Sequence, residues 1–159
     1  MRVEPATLDD VDTLADLWVE LAGEQREYGS HLDASRNREA IKAVFAQQIV
    51  DDWILVAKED GIVGFVNFAI EEGYFEQSVT RGIIQNVYVR PAFRDRGIGT
   101  ALMDACEAAL TERGADVIAL EAMASNDAAR RLYERRGYEE HRIEVEKPTK
   151  SDTNSKEGG

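Results

Sequence analysis

Hydrophobic positions recur every second residue in some stretches of this chain and every third or fourth in others. The switches between the two periods mark its elements. Residues 2–6 read as a short strand. Thr7 then caps a helix, with Asp9 and Asp10 in the first turn, where the helix dipole favours acids. Leu8, Val11, Leu14, Ala15, Trp18, Leu21 and Ala22 form its apolar stripe, which ends at Gly23. Residues 23–35 are polar and without period, a loop carrying Tyr28 and His31. Ile41, Val44, Phe45 and Ile49 give a second amphipathic helix over Arg38–Val50. Strands over 53–57 and 62–70 follow, joined by Lys58-Glu59-Asp60-Gly61, whose Asp-Gly pair is a strong hairpin signal.

A loop over 71–80 bears Tyr74 and Phe75. The β-branched run Ile83–Val89 is a strand, and Pro91 ends it by removing a backbone donor. Ile98, Ala101, Leu102, Ala105, Ala109 and Leu110 return to helical spacing up to Gly114. A strand over 117–122 comes next, and a crossover of this length makes it parallel to 83–89. Asn126–Arg136 is a short helix closed by Gly137, and weak alternation over Tyr138–Glu146 allows one last strand. Residues 148–159 read as a disordered tail. A doubly wound nucleotide fold would repeat βαβ from its beginning. The hairpin meander in the first half instead predicts one α+β domain over 1–147, with a mixed sheet.

Between strand and helix lies Arg94-Asp95-Arg96-Gly97-Ile98-Gly99-Thr100-Ala101. The free N–H groups and partial positive charge of a helix start, two glycines that permit close approach, and two arginines make an anion cradle, suited to phosphate. No Gly-Lys-Ser/Thr follows, which excludes a Walker loop. Leu102 stands where a dinucleotide fingerprint needs its third glycine, and Arg90–Arg96 intervene before the first.

Composition narrows the picture further. The 159 residues, 43% of them hydrophobic, suffice for one core. No run approaches a membrane span, and the N-terminus lacks the apolar centre of a signal peptide, so a cytoplasmic location is expected. Cys106 is the single cysteine, read as a buried core residue. Zinc held by several cysteines is thereby excluded, and no metal is expected. A net charge of −12 opposes general nucleic-acid affinity. Lysine is confined to Lys42, Lys58, Lys147, Lys150 and Lys156 against 31 acidic residues, a balance that suits high salt and raises halophilic origin as an expectation.

Arg-x-x-Gly-x-Gly after Val-x-Val-x-Pro resembles the coenzyme A loop of the GNAT (GCN5-related) N-acetyltransferase superfamily. Asn126-x-x-Ala129-x-x-x-Tyr133-x-x-x-Gly137-Tyr138 resembles its other signature, in the expected order. The resemblance covers roughly residues 53–146. It implies an α+β fold of GNAT type: a mostly antiparallel mixed sheet, helices on both faces, and a parallel pair, here 83–89 and 117–122, splayed to admit pantetheine. The implied cofactor-binding residues are Val87 and Val89 through their backbones, Arg94, Asp95, Arg96, Gly97, Ile98, Gly99 and Thr100 around the pyrophosphate, and Asn126. The implied activity is direct transfer of acetyl from acetyl-CoA to a primary amine in a ternary complex. Tyr133 would be the acid. Glu121, twelve residues before it as in the ribosomal-protein N-terminal acetyltransferases, would be the base, with Glu71 and Glu72 in reserve. The acceptor is a small-molecule amine or a protein N-terminus, bounded by Tyr28, His31, Tyr74 and Phe75. The rival expectations are a coenzyme A-binding sensor without turnover and a nucleotide-binding regulator. Family members commonly end in two antiparallel strands, and only residues 138–147 separate Gly137 from Pro148. Either one long strand closes the sheet here, or a neighbouring chain does so in a homodimer.

Overall fold

A computed structural model describes residues 1–73 and 75–150. Tyr74 and the part of the expected tail over 151–159 lie outside the described residues. Five strands form one sheet in chain order: β1 (Arg2–Pro5), β2 (Ile54–Lys58), β3 (Ile62–Ile70), β4 (Arg81–Val89) and β5 (Val117–Leu120). β1 to β4 pair antiparallel, and β4 and β5 are parallel. The β2–β3 turn has positive φ at both Asp60 (53°) and Gly61 (115°), the left-handed geometry that an Asp-Gly hairpin supplies.

Helices cover both faces. α1 (Val11–Arg26) and α2 (Arg38–Val50) lie on one, where Leu14, Leu17, Trp18, Phe45, Ile54, Val56, Phe65 and Tyr88 form a core. α3 (Ile98–Glu112) covers the other, burying Leu102, Met103, Cys106 and Leu110 against Val63, Val66 and Phe68. Gly64 permits that contact, because a Cβ there would stand 2.7 Å from the Tyr88 carbonyl oxygen and 3.2 Å from Leu102. Cys106 is fully buried, and burial pushes its thiol up to about 12, so it belongs to the core as its spacing predicts. α4 (Asp127–Arg135) follows β5 and is pinned to α3: Arg136 pairs with Asp104 and with Glu107 (2.9 Å), and the Tyr138 hydroxyl donates to Glu107 at 2.6 Å.

Departures from expectation at three places bear on the site. α1 runs past Gly23 to Arg26, because the Glu24 side chain is engaged by Tyr88 and Arg94. β5 stops at Leu120, leaving Glu121 and Ala122 beyond the ladder. No strand forms over Tyr138–Glu146. From Glu139 onward that segment is exposed throughout, held at Glu140 by Arg130 (2.8 Å) and at Glu146 by His31 (2.8 Å). Its alternating side chains find no partner edge among the described residues, and alternation without a partner does not make a strand.

Candidate active site

The parallel pairing is short. It runs from Arg81 opposite Val117 to Ile84 opposite Leu120, while β4 continues to Val89. A bulge falls at the same place: Asn67 faces Asn86 and Phe68 faces Ile84, leaving Gln85 as the extra residue. Beyond it, β4 has a neighbour on the β3 side only. Arg90 N–H donates to the Val63 carbonyl (2.9 Å), so the alternate residues Val89 and Val87 turn their backbone groups away from β3, into the fork. The Val89 carbonyl already accepts from Arg94 Nε at 2.8 Å; no backbone partner from β5 meets Val87.

The fork leads into the cradle. Asp95 (φ 61°) and Gly97 (φ 82°) both take left-handed backbone, which turns the chain into α3. From Asp95 to Thr100 no backbone N–H has an acceptor among the described residues, and the first bond of the turn is Ala101 N–H to the Gly97 carbonyl (3.0 Å). A Cβ built on Gly97 would meet nothing within 4 Å, so the space over it is open. Ile98, buried, anchors this helix start in the core.

The two arginines are engaged by carboxylates. Arg94 donates to Glu24 at 3.0 and 3.1 Å and stacks over Tyr88, 5.3 Å from the ring centre. Arg96 donates to Glu59 at 2.9 Å and lies 5.4 Å from the Phe93 ring centre. Each fixes a wall of the cradle and keeps some N–H groups free, since a guanidinium has five. The Tyr88 hydroxyl donates to Glu20 (3.2 Å) and Glu24 (3.1 Å), and burial together with these carboxylates holds its pKa far above the ordinary value.

Asn126 caps α4, its side-chain oxygen accepting from Ala129 N–H at 3.2 Å. Tyr133 packs against the α3-side core, its ring 6.1 Å from that of Tyr138 and nearly edge-on. Burial raises its hydroxyl pKa, so it is protonated at neutral pH. Glu121 is exposed just past β5, at the mouth of the fork, with no hydrogen bond among the described residues. Glu71 is placed differently. Both its oxygens accept from Arg81 Nη1, at 2.8 and 2.7 Å, at the closed end of the β3–β4 pair, and that guanidinium holds its carboxyl below the usual range. Glu72 adjoins it at the same end.

The loop after α1 folds over the β5–α4 connection. Ser125 Oγ donates to the Tyr28 carbonyl at 3.1 Å, and Gly29 lies against Met123. His31 points elsewhere, towards Glu146, where a depression of about 480 Å³ is lined by His31, Glu146, Lys147 and Pro148. Phe75 is 87% exposed. No group of three or more His, Cys, Asp or Glu side chains among the described residues is arranged to hold a metal.

One polar cluster escaped the sequence reading. Asn67, buried in β3, is bonded to Gln48 of α2 and to Gln85 and Asn86 of β4. Its signal was a single carboxamide inside the apolar run Ile62-Val63-Gly64-Phe65-Val66-Asn67-Phe68-Ala69-Ile70.

An unpaired strand edge running into a ring of free N–H groups suits an extended ligand that ends in phosphate. The chain belongs to the acetyltransferase (GNAT) family, whose model matches residues 15–138. Among curated proteins, it is 31% identical over 102 residues to an uncharacterized N-acetyltransferase, MJ1207, of Methanocaldococcus jannaschii; the match covers 57% of this chain and 44% of that one, so it spans less than half of the relative's length. Among solved structures, a GCN5-related N-acetyltransferase from Ralstonia eutropha JMP134 superposes with a TM-score of 0.74 at 26% identity, covering 92% of this chain and 97% of that one. AAC(6')-Iy, in complex with the bisubstrate analog CoA-S-monomethyl-acetylneamine, shares the fold with a TM-score of 0.66 at 18% identity, covering 94% and 98%.

Proposed function

We propose that this acetyltransferase moves the acetyl group of acetyl-CoA directly to a primary amine. The observation that carries the reading is the fork between β4 and β5 opening beside the free N–H groups of Asp95–Thr100. Those residues would hold the pyrophosphate, with Arg94 and Arg96 as walls and spare donors, and the β4 edge at Val87 and Val89 would take the pantetheine arm. Acetyl-CoA supplies an activated acyl carbon and a thiolate leaving group. The Val87 N–H is aimed into the fork, where it would donate to the oxygen gaining charge, an interaction worth a few kcal/mol. Tyr133, kept neutral by burial, would give its proton to the departing sulfur. Glu121 would take the proton from the amine, through water. Asn126, besides capping α4, would meet the cofactor with its free amide hydrogens.

A −12 charge favours a cationic amine as acceptor and extends the reading to a protein suited to high salt. Thermal-shift titration with acetyl-CoA, CoA, NAD and ATP tests the ligand, and an amine panel followed by thiol release tests turnover. Stabilisation by acetyl-CoA with thiol release on at least one amine is the expected result. Preference for ATP or NAD overturns the reading.

A further inference from the structure

The cluster around Asn67 sits where the fork begins. Asn67, 2% exposed, is the one buried carboxamide among the described residues, beside a core that includes Phe45 of α2 and Phe65 and Tyr88 of the sheet. An unpaired carboxamide there costs about 1–3 kcal/mol, and this one is fully paired. Its Nδ2 donates to Gln48 Oε1 (3.0 Å) and to Gln85 Oε1 (2.8 Å), and its Oδ1 accepts from Asn86 Nδ2 (3.0 Å). Gln48 Nε2 also donates to Gln85 Oε1 at 2.8 Å. These bonds leave two groups over: Gln85 Nε2, on an exposed side chain, and Asn86 Oδ1, on a half-buried one. Reversing all four carboxamides together keeps every bond and only exchanges the two roles. In either orientation one residue presents a donor and the other an acceptor.

A network that holds a bulge can close on itself. This one ends in an exposed carboxamide on the bulge residue, just past the last β4–β5 pair and two residues from Val87. We infer that Gln85 and Asn86, held in place by Asn67 and Gln48, form a neutral subsite that reads a hydroxyl or carboxamide group on the acceptor amine. Both groups donate and accept at once, as the pair requires, and an alkyl chain does neither. The inference rests on the amine-acetylation reading above and assigns the acceptor's chemical class.

The test compares amino alcohols of increasing chain length, from ethanolamine upward, and ω-amino carboxamides with alkylamines of equal heavy-atom count, by thiol release. Wild-type enzyme is expected to favour the polar member by about 10-fold in kcat/KM at one chain length. Gln85→Met removes an acceptor of Asn67 and Gln48, so its fold is checked by circular dichroism and Tm alongside; it is expected to remove that preference by raising the polar acceptor's KM. The KM for acetyl-CoA stays within error, and alkylamines lose less kcat/KM than the polar acceptors do. Gln85→Glu keeps the bonds to Asn67 and Gln48 and adds charge, so it is expected to shift preference to diamines. A merely structural role would lower rates for all acceptors alike, and that result overturns the subsite. Thiol release with the same polar preference in wild type and Gln85→Met also overturns the subsite alone. No thiol release from wild type with any amine overturns the acetylation reading, and the subsite with it.

Discussion

Tyr133 and Glu121, the acid and base proposed above, stand in opposite environments. The tyrosine is packed into the α3-side core and stays protonated, as an acid must; the glutamate is exposed just beyond β5, where water reaches it. Tyr133→Phe is therefore expected to lower kcat by about 10–100-fold while the Kd for acetyl-CoA, measured calorimetrically, stays within error. Unchanged kcat removes its role. In Glu121→Gln the amine must lose its proton to solvent, so the rate should follow the fraction of free amine. The pH profile of kcat/KM is then expected to move towards alkaline pH, and an unmoved profile assigns the base elsewhere. Arg94 shows what a residue pattern does not tell. The resemblance implies a phosphate-binding arginine; in the fold, its bonds to Glu24 and the Val89 carbonyl make it a brace between α1 and the end of β4.

Among the elements, the end of β3 is tied to the start of β4 by the Glu71–Arg81 pair, at the opposite end of the ladder from the fork. Arg81 holds the Glu71 carboxyl below its usual value in the fold. The pair's contribution is therefore fully present above the unfolded carboxyl value, near 4.5, and is lost as pH falls through the lower, folded one. Chemical denaturation of Glu71→Gln is expected to show a stability deficit at pH 7 that narrows as pH falls below about 4.5. A constant deficit would assign the loss to packing. The same scale explains how much was legible in the chain. The Asp60-Gly61 turn, the apolar period of α3 and the short helix that opens at Asn126 depend on neighbours a few residues away, and all appear as expected. The extension of α1 past Gly23 depends on Tyr88 and Arg94, more than sixty residues distant. Residues 138–146 carry the alternation of a strand, but pairing is a property of two segments, and one segment's pattern cannot supply its partner. The cradle was readable because a helix start makes it locally; the amide cluster was not, because α2, β3 and β4 each contribute a member that is unremarkable alone.

For the molecule as a whole, 31 acidic against 19 basic side chains decide the response to salt. Most ion pairs here are partly exposed, such as Arg94–Glu24 at 41% and 38%, and each contributes at most about 1 kcal/mol. The unpaired excess of acid repels itself across the whole surface. Salt weakens both effects, with a screening length falling from about 10 Å at 0.1 M to about 3 Å at 1 M. Contact pairs at 2.7–3.4 Å, such as Arg81–Glu71 and Lys58–Glu4, lie near or inside even the shorter length, whereas repulsion between separated carboxylates acts over longer distances and is suppressed first. Tm is therefore expected to rise between 0.1 and about 1 M KCl, a salt weakly excluded from surfaces, by several degrees. The acceptor should respond with the opposite sign. A cationic amine is drawn to a −12 protein at low salt, so its kcat/KM should fall over the same range while the Tm climbs. If Tm is flat or falls, local ion pairs outweigh the net repulsion, and the acidic surface confers no advantage in salt.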